Sequence, residues 1–228
     1  MRKQFSIRRR LQAYRRDKKG VAAIEFLFLL PILLTLLLGG LEVVLYTWQA
    51  GRVQDTASSV SDLVSQNASM DEQRIRSIYS AAHRMLDPLD EGDVDLGDFE
   101  LTVSSVIGCP CNGDLENATE NSNYCYTVLW SHRLRGDLPS SGEGIPEGRT
   151  VGTAVDFVPS ELVRAPDETM IVTEAEFDYK PDFQYVLVGS SFKMDEITYF
   201  RPRLSDRVVH TGDQSEDTPV TCESLLNN

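Results

Sequence analysis

The chain opens with a short polar, basic stretch that leads directly into a long run of hydrophobic residues. From Val21 to Leu45 this run is apolar except for Glu25, Thr35 and Glu42, and Pro31 interrupts it. About 20 apolar residues in a helix span the hydrocarbon core of a bilayer. The pattern therefore predicts a leader at residues 1–20 followed by a transmembrane helix at residues 21–45.

Beyond the apolar run, hydrophobic residues recur at intervals of three and four, which predicts an exported helical segment at residues 46–87. Its first part continues outward from the membrane with a stripe of Val53, Ala57, Val60 and Val64. Ser69 and Glu72 have the form of a capping box that opens a second helix. That helix ends at Asp87-Pro88, and its stripe is Ile75, Ile78, Tyr79, Ala82 and either Met85 or Leu86.

Residues 88–208 are predicted to form an antiparallel β-rich domain. From Phe99 the apolar pattern changes to a period of two, which is typical of half-buried strands. One strand places Phe99, Leu101 and Val103 on one face, and "YCYTVLWSH" does the same with Tyr124, Tyr126, Val128 and Trp130. Further strands are predicted at "TMIVTEAEFDY" and "DEITYFRPRL". The polar tail at residues 209–228 is expected to be loose unless Cys222 holds it. The predicted class is α+β, with helices first and an antiparallel sheet after them.

Charge is unevenly distributed along the chain, whose net charge is −13. Residues 1–20 hold nine basic residues and one acidic residue, a net of +8, whereas the remaining 13 basic and 34 acidic residues give −21. Basic residues beside a transmembrane helix stay in the cytoplasm, so the C-terminal part is predicted to be exported. The acidic folded part would repel phosphate, which argues against a nucleic-acid partner.

A cleaved secretory signal peptide is the competing interpretation of this basic and apolar start. The apolar stretch is long for such a signal, and no small-residue cleavage site follows it. Cleavage near Gly40 or Ala50 would require Leu38 or Trp48 at the third position before the cut, and both side chains are too large. We therefore favour a membrane anchor.

Four cysteines, Cys109, Cys111, Cys125 and Cys222, follow the predicted anchor. An even number of cysteines in an exported segment indicates disulfides. A bond between Cys109 and Cys111 would close a very tight ring, so we expect each of them to bond to Cys125 or Cys222. The sequence leaves open which cysteine takes which partner. A metal site is disfavoured because no second Cys or His pair lies at zinc-like spacing.

Residues capable of chemistry are present, but their spacing indicates no catalytic site. His83, His132 and His210 fall in three different predicted contexts, and no nucleophile and base are evident beside them. The acidic run at residues 89–98 lacks the Glu that closes an EF-hand loop. We predict no enzymatic activity, no cofactor and no metal.

The residues around Gly20 resemble a known N-terminus. Lys18 and Lys19 precede Gly20, and "VAAIEF" and a long apolar run follow it, as in type IV prepilins. In detail, "GVAAIEFLFLLPILLTLLLGGLEV" is similar to the leader of TadE-like proteins of the Flp (tight adherence) pilus machinery, in which A-[AIV]-E-F precedes a proline. "EAEFDYKPDF" and "ITYFRPRLS" resemble the pattern that closes such proteins. The related TadG proteins carry a further von Willebrand-type domain, for which this chain is too short.

The resemblance implies a pilin-like fold and a role for each residue of the motif. A prepilin peptidase cuts such chains after the glycine, here between Gly20 and Val21, so that Glu25 becomes the fifth residue of the mature chain. A carboxylate inside lipid costs about 2.5–3.5 kcal/mol on insertion scales. The implied partner of Glu25 is the new α-amine of a neighbouring subunit. Pro31 is expected to kink the membrane helix.

Together these expectations describe a TadE-like minor pilin or pseudopilin of a Flp-type (type IVb) pilus, a system of cell adhesion. It is expected in the bacterial inner membrane, with a cytoplasmic N-terminus and a periplasmic domain. The implied partners are the prepilin peptidase, pilin-like subunits, inner-membrane Flp pilus assembly proteins and the lipid bilayer. The alternatives are an unprocessed periplasmic scaffold and a membrane-tethered enzyme. Glu25 would then be a helix-start carboxylate stabilised by the helix dipole and the adjacent lysines.

Overall fold

The computed structural model describes residues 21–86, 99–111, 124–136, 144–155, 158–162, 165–181, 191–211 and 221–226. The chain divides into two compact units, residues 1–46 with 180–190 (the first unit) and residues 47–179 with 191–228 (the second unit). A long helix, a second helix and an antiparallel sheet confirm the predicted α+β class. The elements in chain order are α1 (Val21–Ser65), β1 (Ser69–Met70), α2 (Glu72–Leu86), β2 (Phe99–Pro110), β3 (Tyr124–Arg135), β4 (Ala154–Val155), a 3-10 turn (Ser160–Leu162), β5 (Thr169–Tyr179), β6 (Phe192–Phe200), β7 (Val209–His210) and α3 (Cys222–Leu226).

Helix α1 changes character along its 45 residues. Most of the large apolar side chains between Ile24 and Val44 are exposed on all sides of the helix. This part makes α1 long and apolar enough to cross a membrane. From Val53 to Val64, by contrast, a single stripe is buried at intervals of three and four residues, as the periodicity predicts.

Helix α2 packs through the stripe that the sequence predicts. Ile75, Tyr79, Ala82 and Leu86 are buried, whereas Met85 is exposed, so Leu86 is the residue that closes the stripe. The buried faces of α1 and α2 share one hydrophobic core with the sheet. Tyr79 also donates its hydroxyl to the carbonyl oxygen of Gly136 at 2.9 Å, which links α2 to the end of β3.

The start of α2 differs from the predicted capping box. The backbone N–H of Arg74 donates to Asp71 Oδ1 at 2.7 Å, so Asp71 caps the helix and Ser69 does not. Ser69 lies instead in β1, where it pairs in parallel with Val209 of β7. This pairing holds Ser69 in an extended conformation and takes its side chain out of the capping position.

The five-stranded sheet has the order β4-β3-β2-β5-β6, and every neighbouring pair in it is antiparallel. Strand β2 is central, between β3 and β5. Its residues Phe99, Leu101 and Val103 belong to the core shared with the helices, as predicted from the alternation. The intervening Glu100 and Thr102 lie on the opposite, outer face.

Strand β3 departs from the predicted alternation at a bulge. Ser105 pairs with Trp130 but Val106 pairs with Val128, so Leu129 is an extra residue in β3. An extra residue reverses the faces of all later side chains. The prediction that Trp130 shares a face with Tyr126 and Val128 is therefore wrong, because Trp130 packs in the core with the helices.

The outer face of the sheet carries a second, smaller hydrophobic cluster. Its buried members are Val106, Tyr124, Tyr126, Val128, Val158, Met170 and Val172. Val155 and Leu162 pack against the cluster from β4 and from the segment that follows it. Tyr126 donates its hydroxyl to the carbonyl oxygen of Pro159 at 2.9 Å. Strands β2, β3 and β5 thus contribute side chains to the hydrophobic clusters on both faces of the sheet.

The C-terminal tail is held in place wherever the structure describes it. Trp130 Nε1 donates to the carbonyl oxygen of Val208 at 2.8 Å, and the adjoining strand β7 pairs with β1. A disulfide joins Cys222 to Cys109, and a second one joins Cys111 to Cys125. These bonds supply the pairing that the sequence leaves open, and Cys222 ties the end of the chain to β2.

Residues 144–155 run along the edge of β3, and Gly148 lies close to the strand. Its N–H donates to the carbonyl oxygen of Ser131 at 3.0 Å. A Cβ atom at Gly148 would overlap Ser131 Oγ and would lie 3.1 Å from Thr102 Cγ2. A Cβ atom at Gly144, in the same segment, would meet no other described atom within 4 Å.

We predict that Gly148→Ala lowers the free energy of unfolding by about 1–3 kcal/mol, because the added methyl group overpacks the contact with Ser131. Urea unfolding of the full-length protein in detergent, followed by tryptophan fluorescence, measures the effect. Gly144→Ala is the matched control and should change the free energy by less than about 0.5 kcal/mol. Equal stabilities of the two variants would contradict the packing described here.

Candidate functional site

The candidate site lies at the start of α1. Gly20 lies outside the described residues, and Val21 is the first residue of the helix. Glu25 follows one turn later and is exposed, with exposed apolar neighbours on either side. Within the described part of the chain, Glu25 takes part in no ion pair. Its carboxylate is exposed to the surroundings of the helix.

A second carboxylate of the apolar run has a different environment. Glu42 is only 2% exposed, although Leu41 and Val43 beside it are exposed. The sequence distinguishes Glu25 from Glu42 only by position. The structure distinguishes the two carboxylates by their exposure, because Glu25 is exposed and Glu42 is buried.

Pro31 lies within α1, which continues through it without a break. Proline has no N–H to donate to the carbonyl group four residues earlier. One turn later, Thr35 Oγ1 donates to the carbonyl oxygens of Pro31 at 2.6 Å and Ile32 at 3.0 Å. The Thr35 hydroxyl is thus satisfied within the helix and introduces no unpaired polar group into an apolar surrounding. The kink expected at Pro31 stays a prediction.

Two of the three histidines, which the sequence assigns to unrelated contexts, meet in the folded unit. The ring centroids of His132 and His210 are 4.5 Å apart, and both side chains are buried beside Trp130. His83 lies elsewhere, with its Nε2 atom 2.9 Å from the carbonyl oxygen of Gly136. The pair His132 and His210 joins β3 to β7, and its burial favours a role in packing.

Acidic residues offer no clear metal site in the part of the chain that the structure describes. No group of three or more His, Cys, Asp or Glu side chains there is arranged to hold a metal ion. The acidic run at residues 89–98 lies outside the described residues.

Charged residues on the outer face of the sheet pair across strands. Arg133 Nε is 2.6 Å from Glu100 Oε1, and Arg149 Nε donates to Glu174 Oε1 at 2.8 Å. The hydrogen bond between Arg133 and Glu100 raises the pKa of Arg133. A hydrogen bond to Glu176 likewise raises the pKa of Lys193. These pairs join residues far apart in the sequence, so no local pattern predicts them. These charged residues neutralise one another in ion pairs, so they form a polar surface of the sheet.

The R-P-R pattern near the C-terminus attaches the chain after β6 to two other parts of the second unit. Arg201 Nη1 is 2.8 Å from Glu168 Oε1, at the start of β5. Arg203 Nη2 is 2.7 Å from Asp62 Oδ1, and the N–H of Arg203 donates to the carbonyl oxygen of Ser65 at 2.9 Å. Both contacts of Arg203 lie at the end of α1. This part of the pattern is therefore structural.

Comparison with known proteins gives one match, at the N-terminus. No curated protein and no solved structure matches the chain at a significant level. A family model described as TadE-like protein matches residues 20–61. The matched residues contain Gly20, Glu25, Pro31 and most of α1, which are the features that carry the resemblance in the sequence. Residues 20–61 are therefore similar to TadE-like proteins, which confirms the resemblance that the sequence predicts.

Proposed function

We propose that this protein is a minor pilin or pseudopilin of a Flp-type pilus assembly system, cut by a prepilin peptidase after Gly20. The match to the TadE-like family at residues 20–61 carries this proposal, since it indicates a protein associated with the Tad/Flp pilus. In this role the chain is a structural subunit and not an enzyme. Its partners are other pilin-like subunits and the assembly proteins of the inner membrane.

The position of the cut is supported by the local chemistry. Gly20 lies between the basic leader and the first residue of α1. Glycine lets the backbone approach an active site closely, because it has no side chain. The +8 charge of residues 1–20 keeps the leader on the cytoplasmic side, where the peptidase would act. The acidic second unit then lies in the periplasm.

Cutting at Gly20 would give Glu25 its partner. The new α-amine of Val21 is positively charged, whereas the same nitrogen in the uncut chain is an amide. A carboxylate in lipid is costly, and a cation from a neighbouring subunit offsets that cost. Glu25 lies four residues after Val21, so pairing between subunits would offset neighbouring helices by about one turn, roughly 6 Å. The exposure of Glu25 supports this role.

We predict that Gly20→Ala blocks cleavage. Cells that contain the prepilin peptidase should yield a membrane-bound wild-type chain that starts at Val21, whereas the variant should still start near Met1. Mass spectrometry of the N-terminal peptide from isolated membranes measures both.

Gly39→Ala is the matched control, because a Cβ atom at Gly39 would meet no other described atom within 4 Å. It should be cut as the wild type is. A wild-type chain that keeps its leader in these membranes would refute processing and would favour the unprocessed scaffold.

We predict that Glu25→Gln leaves cleavage intact but weakens assembly. Loss of the paired charge should reduce co-isolation of this chain with pilin-like subunits at least tenfold, since roughly 1.4 kcal/mol corresponds to each factor of ten. Quantitative mass spectrometry of affinity-purified complexes measures the loss. Asp55→Asn, which changes an exposed acidic residue of α1 beyond the apolar run, is the control and should assemble normally. Normal assembly of Glu25→Gln would count against the pairing.

A further inference from the structure

Trp48 is the exposed tryptophan of α1, and it lies just after the apolar part of the helix. It is 58% exposed, whereas Trp130 in the core is 3% exposed. Its neighbour Gln49 is buried in the second unit, so the exposed ring points away from the core. Trp48 therefore contributes little to packing within this chain, and its indole is presented to the surroundings of the helix.

The distance along α1 places this ring at a membrane boundary. Among the side chains that the structure describes, Ile24 is the first exposed apolar one. At 1.5 Å per residue, Trp48 lies about 36 Å further along the helix, a few ångströms beyond a hydrocarbon core of about 30 Å. Tyr46, which is also exposed, lies one half turn earlier. Tryptophan and tyrosine are enriched at this level of a bilayer, because their rings are apolar and their N–H or O–H groups are polar.

Arg52 holds a positive charge against the Trp48 ring. Its Cζ atom lies 3.9 Å from the ring centroid, a distance typical of a cation–π contact. Arg52 Nη1 also donates to the carbonyl oxygen of Leu86 at 2.9 Å, at the C-terminal end of α2. This hydrogen bond fixes the guanidinium in place, and its other N–H groups have the geometry to bind phosphate.

We infer that Trp48 and Arg52 form an anchor in the phospholipid headgroup layer, on the side of the membrane opposite the leader. The indole lies among the glycerol and carbonyl groups of the lipid, and the guanidinium binds a headgroup phosphate. Because Arg52 also binds the end of α2, the anchor links this helix to the headgroup layer. This role requires α1 to span the bilayer but does not depend on cleavage at Gly20 or on assembly into a pilus.

The chain has two tryptophans, so Trp130→Phe leaves Trp48 as the only one. This variant of the full chain is reconstituted into phosphatidylcholine vesicles whose acyl chains carry bromine, a quencher of tryptophan fluorescence, either near the headgroup or near the bilayer centre. Flotation of the vesicles first establishes that the protein is membrane-bound. We expect shallow bromine to quench Trp48 at least about twofold more strongly than deep bromine, as for a ring at the interface.

Stronger quenching by deep bromine, or quenching by aqueous iodide with none by either lipid, would overturn the anchor. A chain that does not float would overturn both the anchor and the membrane span. If Trp130→Phe does not fold, the difference between the wild type and Trp48→Phe reports the same signal, because Trp130 is buried. In the Trp130→Phe background, Arg52→Gln should increase quenching by deep bromine, because the ring is no longer held beside a charge. An unchanged profile would show that Arg52 is not part of the anchor.

Discussion

One continuous helix has to suit two environments, and this constraint organises the molecule. The first half of α1 exposes apolar side chains on all sides, which suits lipid. The second half buries only one stripe, which suits a helix at the surface of a folded unit. No loop separates the two halves. Position along this helix therefore decides whether a residue is expected to meet lipid, headgroups or protein.

The second unit is built around the C-terminal half of α1 and is fastened to the end of this helix. Ser61 Oγ lies 2.6 Å from Thr198 Oγ1 of β6, which brings the helix onto the sheet. Arg203 then binds Asp62 and the carbonyl oxygen of Ser65. The following strand β7 pairs with β1, immediately after the helix. The C-terminal chain thus closes the unit over the point where α1 ends, and the Cys109–Cys222 disulfide secures it.

Much of this fold can be predicted from local patterns in the sequence. A period of three to four residues is sufficient to identify the stripes of α1 and α2, and alternation identifies the inward face of β2, because each depends only on neighbours along one element. The bulge at Leu129 has no such signal, and it moves Trp130 to the other face. Asp71 replaces Ser69 as the helix cap for a similar reason, since pairing with β7 depends on residues far along the chain. The meeting of His132 and His210 is also a product of tertiary structure.

The candidate site, by contrast, is identified mainly from the sequence and less from the structure. Gly20, Glu25 and Pro31 are recognisable because their spacing along the chain is itself the signal, and the family match covers the same residues. The structure adds that Glu25 is exposed while Glu42 is buried, a distinction that depends on surroundings and not on spacing. Trp48 and Arg52 are not predicted as a functional pair from the sequence. Their separation of four residues on a helix, at the end of an apolar run, is the signal that could have identified them.

The central claim is that Glu25 pairs with an amine that exists only after the chain is cut. A membrane-permeant carbodiimide converts such a carboxylate–amine pair into an amide bond, which mass spectrometry locates. In the assembled complexes, this chain carries a heavy isotope and its partner subunits do not. The isotope content of a linked peptide then distinguishes a bond between chains from a bond within one chain. We expect an amide between Glu25 of this chain and the N-terminal amine of a neighbouring subunit. Assembled complexes in which Glu25 stays unlinked would contradict the pairing.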